Sequence, residues 1–293
     1  MRLFFASLIA SFFLLAIPPS ARSQGEAALP FLLLSPSPEA NGMAGISVAV
    51  HRADPLSAVF SPAQVGLTSL STGASGAFYA AETDWFPQFQ IAGLTYSAWA
   101  MQGGVRLNDF ISLPLRLGIG LAYHQVDFDL GTFVVTNTSG QVIDRFNSSE
   151  NATGLTLGVG LEYIVKAGFG YTFRSISSRL SGVGTEAEKG TGEADVAAKD
   201  YAGYLMLPLV QLVEAAAGPI ESEGGFRPFA DLSLGFAFNN IGDKVVYLDA
   251  AQADPLPRTS RAGVGITAGV RLNEWELGGL TWSREAEDLL VIR

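Results

Sequence analysis

Residues 113–124 read LPLRLGIGLAYH, and this stretch decides the fold. From Leu113 to Tyr123 every odd position is bulky and apolar or aromatic, whereas the positions between them carry Pro, Arg, Gly and Ala and end at His124. A period of two is that of a β-strand, in which successive side chains point to opposite faces. The strand therefore has one lipid-like face and one face of small residues.

The same alternation returns in four later stretches, at 155–163, 168–174, 227–239 and 261–271. A soluble β-sandwich also alternates, but its outward face is densely charged. Here only 16% of the residues are charged and 48% are hydrophobic, against about 25% charged in typical soluble domains. A small second face suits a confined interior, and aromatic residues at the ends of several apolar stretches suit the girdle of a membrane barrel. The sequence therefore predicts an all-β protein, a transmembrane antiparallel β-barrel.

Nine spans are predicted, and residues 288–293 are compatible with the start of another. They are 75–82, 88–98, 113–128, 152–166, 167–178, 197–210, 227–240, 259–272 and 275–284. Long polar connections at 131–150, 181–196 and 241–258 alternate with short turns near 166–168 and 273–274, as the two ends of a barrel require. Within 131–150 the turn sequence NTSG predicts a β-hairpin that extends beyond the membrane.

The N-terminus has the order of a secretory signal peptide. Arg2 precedes an apolar stretch from Leu3 to Ala16, which is too short to span a bilayer. A proline pair follows, and small residues flank Arg22 before a cleavage site after Ser23. Residues 1–23 are therefore excluded from fold reasoning.

Composition excludes several classes of protein. The net charge of −10 leaves no basic stripe for nucleic acid. The absence of cysteine excludes a disulfide framework and a thiolate metal site. No window after the signal peptide reaches the roughly 18–20 apolar residues of a membrane helix, which excludes a helical membrane protein.

Residues 31–67 carry a family resemblance. The segment contains ANGMAG at 40–45, then Ala49 and Asp54, and then Ser61-Pro62-Ala63 followed by Gly66. It resembles the N-terminal signature of the PorV/PorQ family, outer-membrane barrels similar to the FadL fatty-acid transporters. The family usually has Asn where this chain has Ser61, and both side chains can bond a nearby backbone amide in a turn. Residues 239–242 and 256–258 also resemble the family's late hairpin.

The resemblance implies a barrel of about fourteen strands, so we expect about 10–14. It divides the chain into the signal peptide (1–23), an N-terminal plug or periplasmic segment (24–67) and an outer-membrane barrel (68–293). The plug or gate candidates are Gly42, Gly45, Asp54, Ser61 and Pro62. The chain departs from the family at Arg293, where the usual terminal aromatic residue is missing. Either strands are missed by the pattern, or the sequence is truncated and leaves an open edge.

The strand positions between the bulky apolar residues carry mainly small residues, and we call them the small phase. The charged and polar residues at these positions are the lumen-facing candidates. They are Arg116, His124, Glu162, Arg227, Asp231 and Arg271. We expect His124 to be solvated or hydrogen-bonded near the rim rather than catalytic, and His51 to be a structural residue of the plug. No catalytic residue, cofactor site or metal site is predicted.

Two further features are interpreted as surface structure. The acidic run within 182–200 is expected to be a solvated external loop, since its spacing does not match an EF-hand. The cluster Trp85-Phe86-Pro87 is expected to anchor at the membrane interface, with contact to a partner as the alternative.

Three functions remain open. The resemblance implies a non-enzymatic role in type IX secretion, with secretion components and cargo proteins as partners, 131–150 and 181–196 as an external docking rim and 31–67 as the plug or periplasmic contact. The alternative is a FadL-like passive path for a hydrophobic small ligand. A lipid-modifying enzyme that uses His124 is the third. Each places the chain among the lipids of a bacterial outer membrane.

Overall fold

The computed structural model describes residues 27–83, 94–180, 192–219, 223–247, 251, 253–273 and 275–290. The predicted signal peptide, Trp85-Phe86-Pro87, residues 182–191 of the acidic run and the last three residues lie outside these ranges. The rest of that run is not the expected solvated loop, because 193–200 is strand and Asp200 is fully buried. The fold is all-β, an antiparallel curled sheet of nine strands in which each strand pairs with the next along the chain. The strands are β1 (Gly73–Thr83), β2 (Leu94–Arg106), β3 (Arg116–Thr136), β4 (Val142–Glu162), β5 (Lys166–Arg179), β6 (Glu193–Pro208), β7 (Phe226–Gly242), β8 (Thr259–Leu272) and β9 (Trp275–Leu289).

The strands follow the predicted order, but most boundaries shift: β3 begins three residues later than predicted, β6 four residues earlier, and β9 ends five residues later. β2 is predicted at 88–98 and spans Leu94–Arg106 in the structure. Its end was missed because its second half, rich in glycine and alanine, carries little apolar signal. The β4–β5 turn was predicted near 166–168 and lies at 163–165, where Lys166 pairs with Glu162 instead. The predicted connection at 131–150 is largely strand. β3 and β4 extend through it as the expected hairpin, with a turn at 137–140.

The expected 10–14 strands exceed the nine in the described part of the chain. There β1 and β9 are the two ends of the sheet, each paired with one neighbour, so the described residues form an open half-barrel. Closure of the sheet is not seen among them.

The bulky phase of the strands lies on the outer face and is exposed. Ile119, Leu121 and Leu157 are each 50% exposed, and Phe169 and Phe173 slightly more. The strand register aligns these side chains in rows, which we call the apolar band: Val105, Ile119, Val159 and Phe169; Leu121, Leu157, Tyr171, Tyr201 and Phe238; Met101, Tyr123, Leu155 and Phe173. The leucines of the sequence pattern are therefore not the core of the molecule.

The N-terminal segment, residues 27–72, supplies a large share of the buried apolar residues and covers the inner face. It contains two short helices, α1 (Pro38–Gly42) and α2 (Ala63–Thr68), and 3₁₀ turns at Pro30–Leu33 and Pro55–Val59. α2 contacts every strand from β2 to β6. Five strands span about 19 Å at the usual spacing, whereas a six-residue helix is about 9 Å long. The sheet therefore curls around the helix.

Candidate functional site on the inner face

Two rows of glycine cross the inner face where α2 lies. One row is Gly104, Gly120, Gly158 and Gly170, and the other is Gly118, Gly160 and Gly168, each residue paired with the next across neighbouring strands. We call these seven residues the glycine platform. They belong to the small phase that the sequence assigned to an enclosed tunnel. The structure instead fills the space in front of them with the backbone of α2.

The contact is too close for any other residue. A Cβ atom at Gly158 would lie 2.4 Å from the backbone nitrogen of Gly66, and one at Gly160 would lie 2.1 Å from its carbonyl oxygen. The fit is mutual, because a Cβ at Gly66 would lie 2.4 Å from the carbonyl oxygen of Val159. Glycine is the residue that allows two backbones to approach in this way.

Side chains of the sheet hydrogen-bond to the irregular backbone of the N-terminal segment. Gln102 donates to the carbonyl of Ala53 at 2.9 Å, and Ser233 donates to the carbonyl of Ala49 at 2.6 Å. Two further bonds of this kind run from Tyr96 to the Leu34 carbonyl at 2.9 Å and from Asn239 to the Phe60 carbonyl at 3.2 Å. A buried carbonyl without a partner is costly, so these polar residues compensate for the missing secondary structure of the segment.

A carboxylate on the last strand binds the segment at 47–48. Glu285 accepts hydrogen bonds from the backbone N–H groups of Ser47 and Val48 at 2.9 Å each and from the Ser47 hydroxyl at 2.7 Å. Arg261 lies beside it, donates to Glu287 at 2.7 Å and stacks over the ring of Phe60 at 4.4 Å. The segment is therefore bound from β2 to β9.

A buried ion pair lies between the sheet and the Pro55–Val59 turn. Arg174 on β5 is 2.7 Å from Asp200 on β6, and their side chains are 2% and 0% exposed. Arg174 also donates to the Val59 carbonyl at 2.7 Å, and Asp200 accepts the backbone N–H of Asn240 at 2.6 Å. Asn240 has a φ of 57° at a bulge of β7. The pair therefore connects two strands, a bulge and the N-terminal segment.

His124 faces inward, as its phase predicts, but it is 1% exposed rather than solvated at the rim. Its ring occupies space that Gly154 leaves free, since a Cβ there would lie 2.2 Å from Nε2. Neither ring nitrogen has a hydrogen-bond partner among the described residues. The sequence could not predict this burial, because the covering segment lies far away in the chain.

The plug candidates serve the local geometry of the segment. Asp54 caps the Pro55–Val59 turn by accepting the N–H of Leu56 at 2.9 Å, and it also accepts the Ser37 hydroxyl at 2.5 Å. Ser61 is buried, and Pro62 immediately precedes α2. Gly45, at a φ of 82°, donates its N–H to the Ala40 carbonyl and ends the α1 region. Gly42 ends α1 with open space around it.

The other lumen candidates gather at one end of the sheet. We call it the turn end, where β2, β4, β6 and β8 end and β3, β5, β7 and β9 begin. Arg116 and Glu162 form an ion pair there at 3.1 Å, with Arg116 59% exposed. Arg227, Asp231 and Arg271 line an opening of about 180 Å³ at the same end. These residues mark a mouth of the half-barrel rather than its interior, because the glycine platform and α2 occupy the interior.

Among the titratable groups outside the strands whose pKa is displaced are His51, in the N-terminal segment, and Asp109, in the β2–β3 connection. Desolvation by the surrounding protein lowers the pKa of His51, although the residue keeps some solvent-exposed surface. Its Nδ1 is 2.7 Å from Oε1 of Gln64. Hydrogen bonds from Thr72 and Arg106 hold the pKa of Asp109 below its ordinary value. Asp109 thereby connects the end of the N-terminal segment to the β2–β3 connection.

A second opening lies between the N-terminal segment and the last two strands. It measures about 340 Å³, and its lining includes Leu33, Leu34, Ile46, Arg261 and Glu285. On the side of the segment its wall combines apolar side chains with Ser35 and Asn41, and on the side of the strands it is charged. A small amphiphilic molecule would match this distribution of polarity.

Within the described ranges, no group of three or more His, Cys, Asp or Glu side chains could hold a metal ion. No described helix is long and apolar enough to cross a membrane. A comparison with protein-family models finds no match, and neither does a comparison with curated proteins.

Sequence reasoning missed the residues with the most partners on the inner face. Arg174, Asp200, Arg261 and Glu285 were absent from the lumen candidates, although Arg174 and Arg261 share the small phase of their strands. The available signal was a charge flanked by apolar or small residues in mid-strand, since such a charge needs a partner. The candidates at the strand ends lie nearer to water, so their charges do not need a buried partner.

Proposed function

We propose that the chain is an outer-membrane β-barrel protein whose outer face contacts lipid. The apolar band supports this placement, since monomeric soluble proteins rarely expose contiguous apolar patches of this extent. Two rows of polar residues end the band on the hairpin side: Ser97, Asp127, Asn151, Ser177 and Asp195; Thr95, Asp129, Ser149, Arg179 and Glu193. A sharp change from apolar to polar across five strands matches a bilayer boundary.

Aromatic residues flank the band on both sides. Near the polar rows, Trp99 contacts Tyr123 and Tyr171 contacts Phe173, with ring centroids 5.1 and 4.8 Å apart. At the turn end, each pair of consecutive strands contributes one exposed aromatic residue. These are Phe110, Tyr163, Phe226 and Trp275, which are 74%, 74%, 50% and 76% exposed. Aromatic girdles at both interfaces are typical of outer-membrane barrels.

The spacing of the girdles agrees with a bilayer. Along β4, Leu155 lies in the last apolar row and Tyr163 follows the end of the strand. Eight residues extend about 27 Å along a strand. A tilt of about 40° reduces this to about 20 Å along the membrane normal, close to the roughly 25 Å of an outer-membrane band.

We infer that the protein acts as a docking scaffold of PorV/PorQ type in type IX secretion rather than as an open pore. The observation that carries this proposal is the contact between α2 and the glycine platform. Within the described residues, a segment in backbone contact with the sheet and hydrogen-bonded from β2 to β9 fills the space behind the apolar band. The hairpin of β3 and β4 extends past the polar rows and would form part of the external docking surface.

Deletion of the gene tests the secretion role. We expect secreted cargo to accumulate unprocessed in the periplasm and to be restored by the full chain. Normal cargo processing in the deletion strain would contradict the proposal.

A FadL-like path for hydrophobic molecules is the second candidate, and the 340 Å³ opening beside Leu33 and Ile46 favours it. Transport would require the N-terminal segment to move away from the sheet. A crosslink between cysteines at Val65 and Ala122, which share an apolar cluster with Ala58, would prevent that movement. The chain has no cysteine of its own, so the two single variants are clean controls. A scaffold should function when locked, whereas a gated transporter should lose uptake.

A further inference from the structure

The helix after β6, Leu209–Ala217, which we call α3, has an uncovered apolar face. None of its residues is buried; Leu209 is 38% exposed and Val213 is 53% exposed. At about 100° per residue, Leu209, Leu212, Val213 and Ala216 fall within an arc of about 100°. This arc carries no charge, whereas the single acidic residue, Glu214, lies on the other side.

The opposite face of α3 turns toward the mouth of the half-barrel. Val210, Gln211 and Glu214 line the opening of about 180 Å³ together with Arg227 and Asp231. Packing against β7 therefore fixes the rotation of the helix about its axis. The apolar arc points away from the protein.

The strand register shows how far along the strand direction the helix lies. Met206 pairs with Lys166, so Leu209 lies three residues further, at the level of the β4–β5 turn that contains Tyr163. Leu205 and Leu207, the last outward-facing residues of β6, pair with Leu234 and Leu232 and extend the apolar surface up to the helix. The arc is therefore continuous with the apolar outer face and lies beside the aromatic girdle of the turn end.

We propose that α3 lies in the lipid interface at the turn end, with Leu209 and Val213 inserted at the boundary between headgroups and acyl chains. This inference rests on the proposed membrane placement of the sheet. An apolar arc without charge favours lipid over a protein partner, whose recognition would use polar groups at the rim of the contact. Behind the helix, Arg227 and Arg271 share the opening with Glu214 and Asp231, so the proposal depends on the apolar arc and its continuity with the outer face, not on basic charge.

Single cysteines test the proposal, because the natural chain has none. Val213→Cys, Gln211→Cys, Leu157→Cys and Asn137→Cys are each labelled with an environment-sensitive fluorophore in the full chain and reconstituted into phosphatidylethanolamine–phosphatidylglycerol vesicles. Lipids with a spin label near the headgroup and lipids with one in the middle of the acyl chain serve as quenchers, the first for position 213 and the second for position 157. Leu157, in the apolar band, and Asn137, in the hairpin turn, are the membrane and water references.

We expect a blue-shifted emission and loss of fluorescence for the label at position 213, and neither for the label at 211, two residues away on the opposite face. Quenching at 157 but not at 213 would overturn the interfacial helix and leave the membrane placement intact. Equal quenching at 211 and 213 would overturn the proposed orientation. Absence of quenching at 157 as well would overturn the membrane placement itself.

Discussion

The inner and outer faces of the same strands are specified in different ways. On the outer face, Ile119, Val159 and Phe169 form a row in which no close partner dictates the side chain, and all three are exposed. One residue away, Gly118, Gly160 and Gly168 form a row in which a single methyl group would collide with α2 or the residues after it. The outer face therefore needs apolar character, whereas the inner face needs a particular size and a particular set of hydrogen bonds.

The largest effect is expected from the buried ion pair of the inner face. Arg174→Met leaves Asp200 buried without its cation and removes the bond to the Val59 carbonyl. Loss of one partner of a buried pair typically costs about 3–5 kcal/mol. We expect the free energy of unfolding, measured by urea titration in lipid vesicles, to fall by about this amount. Arg116→Met, which breaks an exposed pair with Glu162, is the matched control and should change stability by less than about 1 kcal/mol.

A charge on the outer face should have the next largest effect, and only in lipid. Leu157→Arg places a cation in the middle of the apolar band, where the cost at a bilayer midplane is about 2–4 kcal/mol. Thr153→Arg, on the same face of β4 but beside the polar rows, should cost much less. If both variants unfold at the same urea concentration as the natural chain, the outer face does not contact hydrocarbon.

Gly158→Ala tests the inner face by size alone. Its Cβ would meet the backbone of Val65 and Gly66, so the segment must move or the strand must bend. Overpacking of this kind typically costs about 1–3 kcal/mol. Gly103→Ala, on the outer phase of β2, brings a Cβ no closer than 3.8 Å to a neighbour and should be neutral or slightly stabilising. Increased protease cleavage of residues 27–72 in the first variant only would show that the segment is displaced.

The strands were predictable because alternation is a local property. LPLRLGIGLAYH determines both the strand and the face on which Leu117 and Ile119 lie, and the turn NTSG marks the hairpin. The occupant of the inner face was not predictable from the alternation itself. Gly158 and Gly160 are small for a reason supplied by Gly66, which lies more than ninety positions earlier in the chain. His124 was misjudged for the same reason, since its burial depends on coverage by a distant segment.

The candidate site was predicted least well where charge alone was the guide. Arg227 and Arg271 carry the same charge as Arg174 and Arg261 and share a small phase with similar neighbours. Their depth beneath the N-terminal segment separates them, because Arg174, in the middle of β5, and Arg261, near the start of β8, both meet that segment. Depth follows from the strand register and the curl of the sheet, which depend on pairing between strands and not on the composition of one strand.

The smallest effect concerns Asp109, where the N-terminal segment leads into β1 at the turn end. Thr72 and Arg106 donate hydrogen bonds to its carboxylate, at 2.6 and 2.9 Å, and hold its pKa below the ordinary value of 3.8. A lowered pKa means that the unfolded chain binds the proton more readily, so this carboxylate stabilises the fold above about pH 4 and ceases to do so as the pH falls through its folded pKa. We expect Asp109→Asn to be slightly less stable than the natural chain at pH 6, and this difference to shrink in urea titrations as the pH falls below 3.8. Glu82→Gln, an exposed carboxylate at the far end of β1, is the control. A difference for Asp109→Asn that persists unchanged to the acid limit would mean that these hydrogen bonds do not depend on the charge of the carboxylate.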